Sequence, residues 1–195
     1  VSESGVRLSG PNQAADDRGV CSTLRNQTVE IGRGDPGIER TVVVMRQIIQ
    51  QATGMPIVRD HAERAVAGVQ PGRPLEEVRA VVEYLRSRVN YRRDPITHEW
   101  IQTPWRVLAC QIDQGQTPQL DCDDLTVLSL SLLGSIGFDT VIRVVSTRPD
   151  GQYNHVYGLA ELPRSNAATP IDLTRAWAPR GAPWPVETRV WEVPV

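Results

Sequence analysis

The chain has 195 residues, a net charge of −2 and a pI near 6.0, with 40% hydrophobic and 5% aromatic residues. That length holds one ordinary domain with extensions and suffices to bury a core without staples. The charge balance excludes a basic nucleic-acid groove, and the short apolar runs exclude a transmembrane helix, so neither nucleic acid nor membrane is expected as a partner.

Residues 1–30 carry no apolar stretch of the signal-peptide kind. Residues 1–36 are rich in Gly, Ser, Asn, Asp and Arg, with one strand-like piece at Thr28-Val29-Glu30-Ile31, and read as an extended arm outside the core. Helical periodicity begins at Gly37, with Ile38, Val42, Met45, Ile49 and Ala52 on one face, and is closed by Gly54 and Pro56. A second helix is predicted over 56–66, with Val58, Ala62, Ala65 and Val66 inward. A third runs from Pro74 to about Val89, where Glu76 and Glu77 suit the positive end of the dipole.

Residues 90–119 show no clean period and read as a long loop with a short helix near Trp105 to Cys110. They lead into Asp121-Cys122-Asp123-Asp124 and an apolar helix to about Leu133, closed by Gly134 and Gly137. Leu125, Leu128 and Leu132 form one stripe and Val127, Leu130 and Leu133 widen it, so this helix belongs at the centre of a core. Three strands are predicted next, over 140–146, 155–162 and 171–173, with Pro149-Asp150-Gly151 as a turn. Helices followed by an antiparallel meander make an α+β domain over 37–175. Residues 176–195, with four prolines and three tryptophans, read as a tail that docks on a partner or folds back over the domain.

Asp121 is a good N-cap for the Cys122 helix, and Asp124 stands where a capping-box partner would. Cys122 then occupies the first helical position, where the dipole and the backbone N–H groups favour thiolate. The surrounding aspartates oppose this, so the thiolate needs an imidazolium nearby. His155 opens the second predicted strand and Asp172 lies on the next, which brings the two together if the strands are neighbours. Cys, His and Asp are the set for nucleophilic attack on an amide: thiolate, proton shuttle and orienting carboxylate. The Cys122 N–H would meet the oxyanion, with Gln102, Trp105 or a loop amide as second donor. Asp121, Asp123 and Asp124 read as helix cap and dipole partners in preference to a cation site, and neither metal nor cofactor is expected. Cys21 and Cys110 have neither CxxC nor zinc spacing and read as spectators, reduced in a cytosolic synthesis compartment, without a disulfide framework. His61 and His98 read as ordinary packed or surface residues.

Asp121-Cys122-Asp123-Asp124-Leu125, Leu132-Leu133-Gly134-Ser135-Ile136-Gly137-Phe138, Asn154-His155-Val156-Tyr157 and Ile171-Asp172, in that order, resemble the transglutaminase-like superfamily. Gln102-Thr103-Pro104 resembles the loop that precedes the cysteine in bacteriophage and prophage members. The likeness covers roughly residues 75–175. Leu120 stands where Gly is common, and Tyr157 where Trp is usual.

The resemblance implies N-terminal helices and a central Cys-bearing helix packed on a small antiparallel sheet, related to cysteine proteases. It implies a Cys122–His155–Asp172 triad acting on peptide or protein amides, as hydrolase or acyltransferase, in a phage particle assembled in the host cytoplasm. There the two arms would contact other phage structural proteins. The alternatives are a non-catalytic tail or connector adaptor with the same fold, and a cytoplasmic location.

Overall fold

The computed structural model describes residues 21, 27–28, 35–93, 100–163, 167–177 and 185–195. It is a mixed α+β structure containing a small antiparallel sheet. Three helices come first: α1 (Asp35–Thr53), α2 (Pro56–Val66) and α3 (Pro74–Arg86). Pro56 and Pro74 each open their helix, where a missing N–H costs nothing. The inward face of α1 carries Val42, Met45, Ile49 and Ala52 as expected and adds Val44 and Ile48, while Val43 is exposed.

The stretch expected to be a long loop with a short helix near Trp105 to Cys110 has that helix and short strands besides. It holds β2 (Asn90–Tyr91), β3 (Trp100–Ile101), α4 (Pro104–Val107), a π-helical turn over Leu108–Ile112, and β4 (Gln119–Leu120). β2 and β4 pair in parallel, and β3 pairs antiparallel with β1 (Gln27–Thr28). Each of these strands is two residues long, too short for periodicity to show.

α5 (Cys122–Ser135) is the hub. Its buried residues run from Asp123 to Leu133 without a break, and it touches α1, α2 and α3 on one side and the main sheet on the other. That sheet has the order β7-β6-β5-β8, all antiparallel, from β5 (Thr140–Ser146), β6 (His155–Glu161), β7 (Ala168–Ile171) and β8 (Arg189–Pro194). Ile142, Val144, Val156 and Ala160 join the core that contains α5. Val141, Val145, Tyr157 and Leu159 form a second apolar cluster. Strand alternation puts them on the opposite face of the sheet.

Two glycines let the layers approach. A Cβ on Gly158 would lie 2.4 Å from Cδ2 of Leu130, and one on Gly134 would lie 2.9 Å from the Thr53 hydroxyl oxygen. Leu130 is itself fully buried, so it has no room to retreat.

One expectation is corrected and two open ones are narrowed. Of the two fates open to the tail, its end takes the second and folds back over the domain, as a strand the sequence did not indicate. β8 pairs with β5 from Val141↔Pro194 to Ser146↔Arg189, and Trp191 packs against the core. β8 is an edge strand, where proline is tolerated. Removal of residues 180–195 would therefore take a strand from the sheet. Second, Cys21 and Cys110 form a disulfide that closes a sequence separation of 89. Constraint of the unfolded chain over such a loop is worth about 4–5 kcal/mol in the chain-entropy account. The bond pins one point of the N-terminal segment to the π-helical turn, and most of that segment lies outside the described residues. Third, of the two readings open to His61 the packed one holds: it is fully buried, with Nδ1 2.7 Å from the Tyr84 hydroxyl and Nε2 3.2 Å from Asp113. Burial lowers its pKa against the opposing pull of Asp113. His98 and the Trp184 part of the tail lie outside the described residues.

Gly158→Ala is expected to cost about 1–3 kcal/mol by overpacking. The loss should shrink in a Leu130→Ala background, where the methyl finds space. Urea unfolding of the two single variants and the double variant checks this, and strict additivity would contradict the close approach.

Candidate active site

Asp121 caps α5 as the sequence indicates: its backbone is extended and its Oδ1 accepts from the Asp124 N–H at 3.3 Å. Cys122 is thus the first helical residue, half-buried, and it is the one free cysteine once Cys21 and Cys110 are joined.

Asp124 does more than occupy a capping position. Its Oδ1 accepts from the backbone N–H of Gln102 at 2.6 Å and its Oδ2 from the Gln102 side-chain amide at 3.3 Å. The same amide nitrogen donates to the Gln119 carbonyl at 3.1 Å, and Gln111 donates to Gln102 Oε1 at 3.0 Å. Both amide hydrogens of Gln102 are therefore engaged. Gln102, one of three candidates left open for the second oxyanion donor, ties the preceding loop to the first turn of α5. Trp105, another of the three, is buried in the core on α4.

His155 and Asp172 meet. Nε2 of His155 lies 2.8 Å from Oδ2 of Asp172, and their side chains are 18% and 5% exposed. β6 and β7 pair as far as Gly158↔Ile171. Asp172 thus follows the last paired residue and meets His155 diagonally, not directly across the ladder. Oδ1 of Asp172 accepts from Thr174 twice, from its hydroxyl at 2.6 Å and its N–H at 3.1 Å. Burial pushes the Asp172 carboxyl up. The hydrogen bonds from His155 and Thr174 and the charge of His155 outweigh burial and bring its pKa below the usual value of 3.8.

The helix start and the strand are joined by Thr126. Its hydroxyl shares a proton between the Cys122 carbonyl at 2.6 Å and the Val156 carbonyl at 3.3 Å. The backbone of Cys122 is thereby held within two hydrogen-bond lengths of the residue after His155. With Nε2 given to Asp172, Nδ1 is the ring nitrogen left to take or give a proton.

Tyr91 stands within electrostatic reach of this centre. Burial raises its phenol pKa, and the negative charge of Cys122 raises it further. Its position follows from β2, where Tyr91 pairs with Leu120 two residues before the thiol. Asp121, Cys122 and Asp123 each offer one ligand atom, all within 4.8 Å of one another. Within this grouping Oδ1 of Asp121 also accepts from the Asp124 N–H as the helix cap.

The chain matches no family model, no curated protein and no solved structure with which it was compared. What can be said of the site therefore rests on its geometry.

Sequence reasoning missed Tyr91, Thr126 and Thr174. Thr174 had a signal, because Asp-x-Thr is a turn in which the carboxylate accepts from the residue two on. Thr126 had a weaker one, four residues after Cys122 and so on the same helix face. Tyr91 had none, because a two-residue parallel pairing is decided by tertiary packing.

Two outcomes test the site's construction. Asp121→Ala should cost about 0.5–2 kcal/mol as a lost cap, and Asp124→Ala about 2–3 kcal/mol because it strips a carboxylate from the Gln102 loop as well. Urea denaturation at neutral pH ranks the two, and the reverse order would contradict the role given to Asp124. Because the folded pKa of Asp172 lies below its ordinary 3.8, its stabilisation is full above that value and is lost as pH falls through the folded pKa. Unfolding midpoints between about pH 6 and pH 2.5 should therefore drop at the acid end. Asp172→Asn should flatten that drop.

Proposed function

We propose that the protein is a cysteine amide hydrolase or acyltransferase of the transglutaminase-like class, acting on peptide or protein amides. The observation that carries this reading is the His155 Nε2–Asp172 Oδ2 bond of 2.8 Å, on a strand that Thr126 links to the helix start bearing Cys122. The chain order of the three residues and the resemblance of their flanking motifs support it.

The Cys122 thiol passes its proton to His155 Nδ1. The thiolate attacks the amide carbon, and the oxyanion is met by the Cys122 N–H at the positive end of α5. Tyr91, kept protonated by burial and by the neighbouring negative charge, is our choice for the second donor. His155 then protonates the leaving amine as the C–N bond breaks, giving a thioester. Water in a hydrolase, or an amine in a transferase, loses its proton to His155 as it attacks the thioester, and the thiol is released. Asp172 holds the ring in the tautomer with hydrogen on Nε2, and Thr174 holds Asp172.

Carriage in a bacteriophage particle belongs to the same proposal. It is supported by the Asp-Cys-Asp-Asp and Gln-Thr-Pro motifs. The Cys21–Cys110 disulfide supports it too, since such bonds persist at virion and cell surfaces and are rare in a reducing cytosol. A non-catalytic adaptor with the same fold predicts an ordinary thiol.

Alkylation by iodoacetamide separates the two readings, because Cys122 is the one free cysteine. At about pH 6 the reaction should outrun that of a free thiol, whose ordinary pKa is about 8.5. His155→Ala should remove the advantage, and Cys122→Ala should abolish labelling. Against a peptide amide substrate, His155→Ala should lower kcat by about 10²–10⁴. A thiol no more reactive at pH 6 than a free one would overturn the catalytic reading.

A further inference from the structure

The face of the sheet turned away from α5 carries a cleft of about 630 Å³, within the range of small-ligand sites. Its lining is aliphatic where Val141, Leu159, Pro170 and Pro185 meet, and charged along Arg143, Glu161, Glu187 and Glu192.

Among the described lining residues the charges do not balance. The guanidinium of Arg143 is bound by Glu187 at 2.6 Å and also by Glu192. The Tyr157 phenol donates to Glu187 at 2.7 Å. Glu161 adds a third carboxylate at the exposed end of β6. Among the described residues that line the cleft, three carboxylates face one cation already bound twice, a balance that attracts a further cation and repels an anion. Aliphatic walls suit the methylene stem of a lysine or arginine side chain, which buries its carbons and keeps its charge at a polar rim.

The cleft lies beside His155 of the candidate active site. Tyr157 lines it and lies two residues along β6 from His155, on the same face, with ring centroids 5.9 Å apart. The charge of His155 also acts on Glu187.

We propose that this cleft is a specificity subsite that receives a lysine or arginine side chain of a peptide substrate whose amide lies at Cys122. The assignment of the occupant as a substrate residue rests on the amide-cleaving reading. The binding preference itself does not.

The test is a titration of the isotopically labelled protein with Nα-acetyl-lysine amide, followed by amide NMR shifts, with the norleucine and glutamate analogues as comparisons. The lysine compound should shift the amides of Tyr157, Leu159 and Ala168. Norleucine, which keeps the stem without the charge, should bind up to about fivefold more weakly, the upper size of one exposed charge contact, and glutamate should not bind there. Glu161→Gln alone, and together with Glu192→Gln, should weaken the lysine compound progressively while Glu187 still holds Arg143. Thermal unfolding of both variants confirms that they fold. Equal shifts with lysine and norleucine, or shifts confined to other surfaces, overturn the subsite.

Binding in the cleft by a protein whose Cys122 shows no enhanced alkylation would keep the basic-side-chain site and remove the hydrolase. A reactive Cys122 with no lysine preference would keep the hydrolase and remove the subsite.

Discussion

Everything in this molecule depends on the burial of one helix from all sides. α5 is too apolar to face water on any side, so the chain must supply a helical layer and a sheet to enclose it. The two layers can close only where a neighbour has no side chain, at Gly158 against Leu130, or where the helix itself has none, at Gly134 against Thr53. The polar start of the helix is the exception to its apolar character. There the Asp121 cap, the Asp124 brace and the Thr126 bridge satisfy backbone groups that enclosure would otherwise leave without partners. A thiol at this spot is positioned by the same bonds that make the burial tolerable.

The legible parts of the fold are those with a repeated local signal. α1, α2, α3 and α5 announce themselves by apolar spacing and by proline or an aspartate cap at their starts, β5 by a run of branched residues, and β6 by following the Pro149-Asp150-Gly151 turn. His155 and Asp172 could be paired from chain order alone, because neighbouring antiparallel strands put their ends together. β8 was not legible. The prolines before it and at its end argue against a strand, and only its place at the sheet edge makes Pro194 acceptable. The Cys21–Cys110 bond was not legible either, since spacing in sequence says nothing about proximity across a separation of 89 residues. Gln102 shows a third kind of limit. The residue type was right for a polar role beside the cysteine, but its neighbours, Gln111, Gln119 and Asp124, decide which role, and they come together only in the fold.

The two faces of the sheet divide the labour. One face supplies packing for α5. The other links His155, through Tyr157, to Glu187 and Arg143, so that groups beside the reacting centre and groups that could recognise a substrate share one network. Glu187 reaches that face from the segment before β8. The C-terminal part of the chain therefore contributes to the recognition surface as well as to the sheet.

The pairing of β8 with β5 also has a bearing on how the chain is made. β5 lies inside the sheet, yet one of its two neighbours is encoded more than forty residues downstream. As synthesis proceeds, α5, β5, β6 and β7 emerge first, and the outer edge of β5 stays open until residues 189–194 leave the ribosome. During that interval the edge presents unpaired N–H and C=O groups lined by valines, a template that another nascent chain can join. The sheet is completed by a late, long-range closure, the kind of contact that is slow to form because its loop must close first.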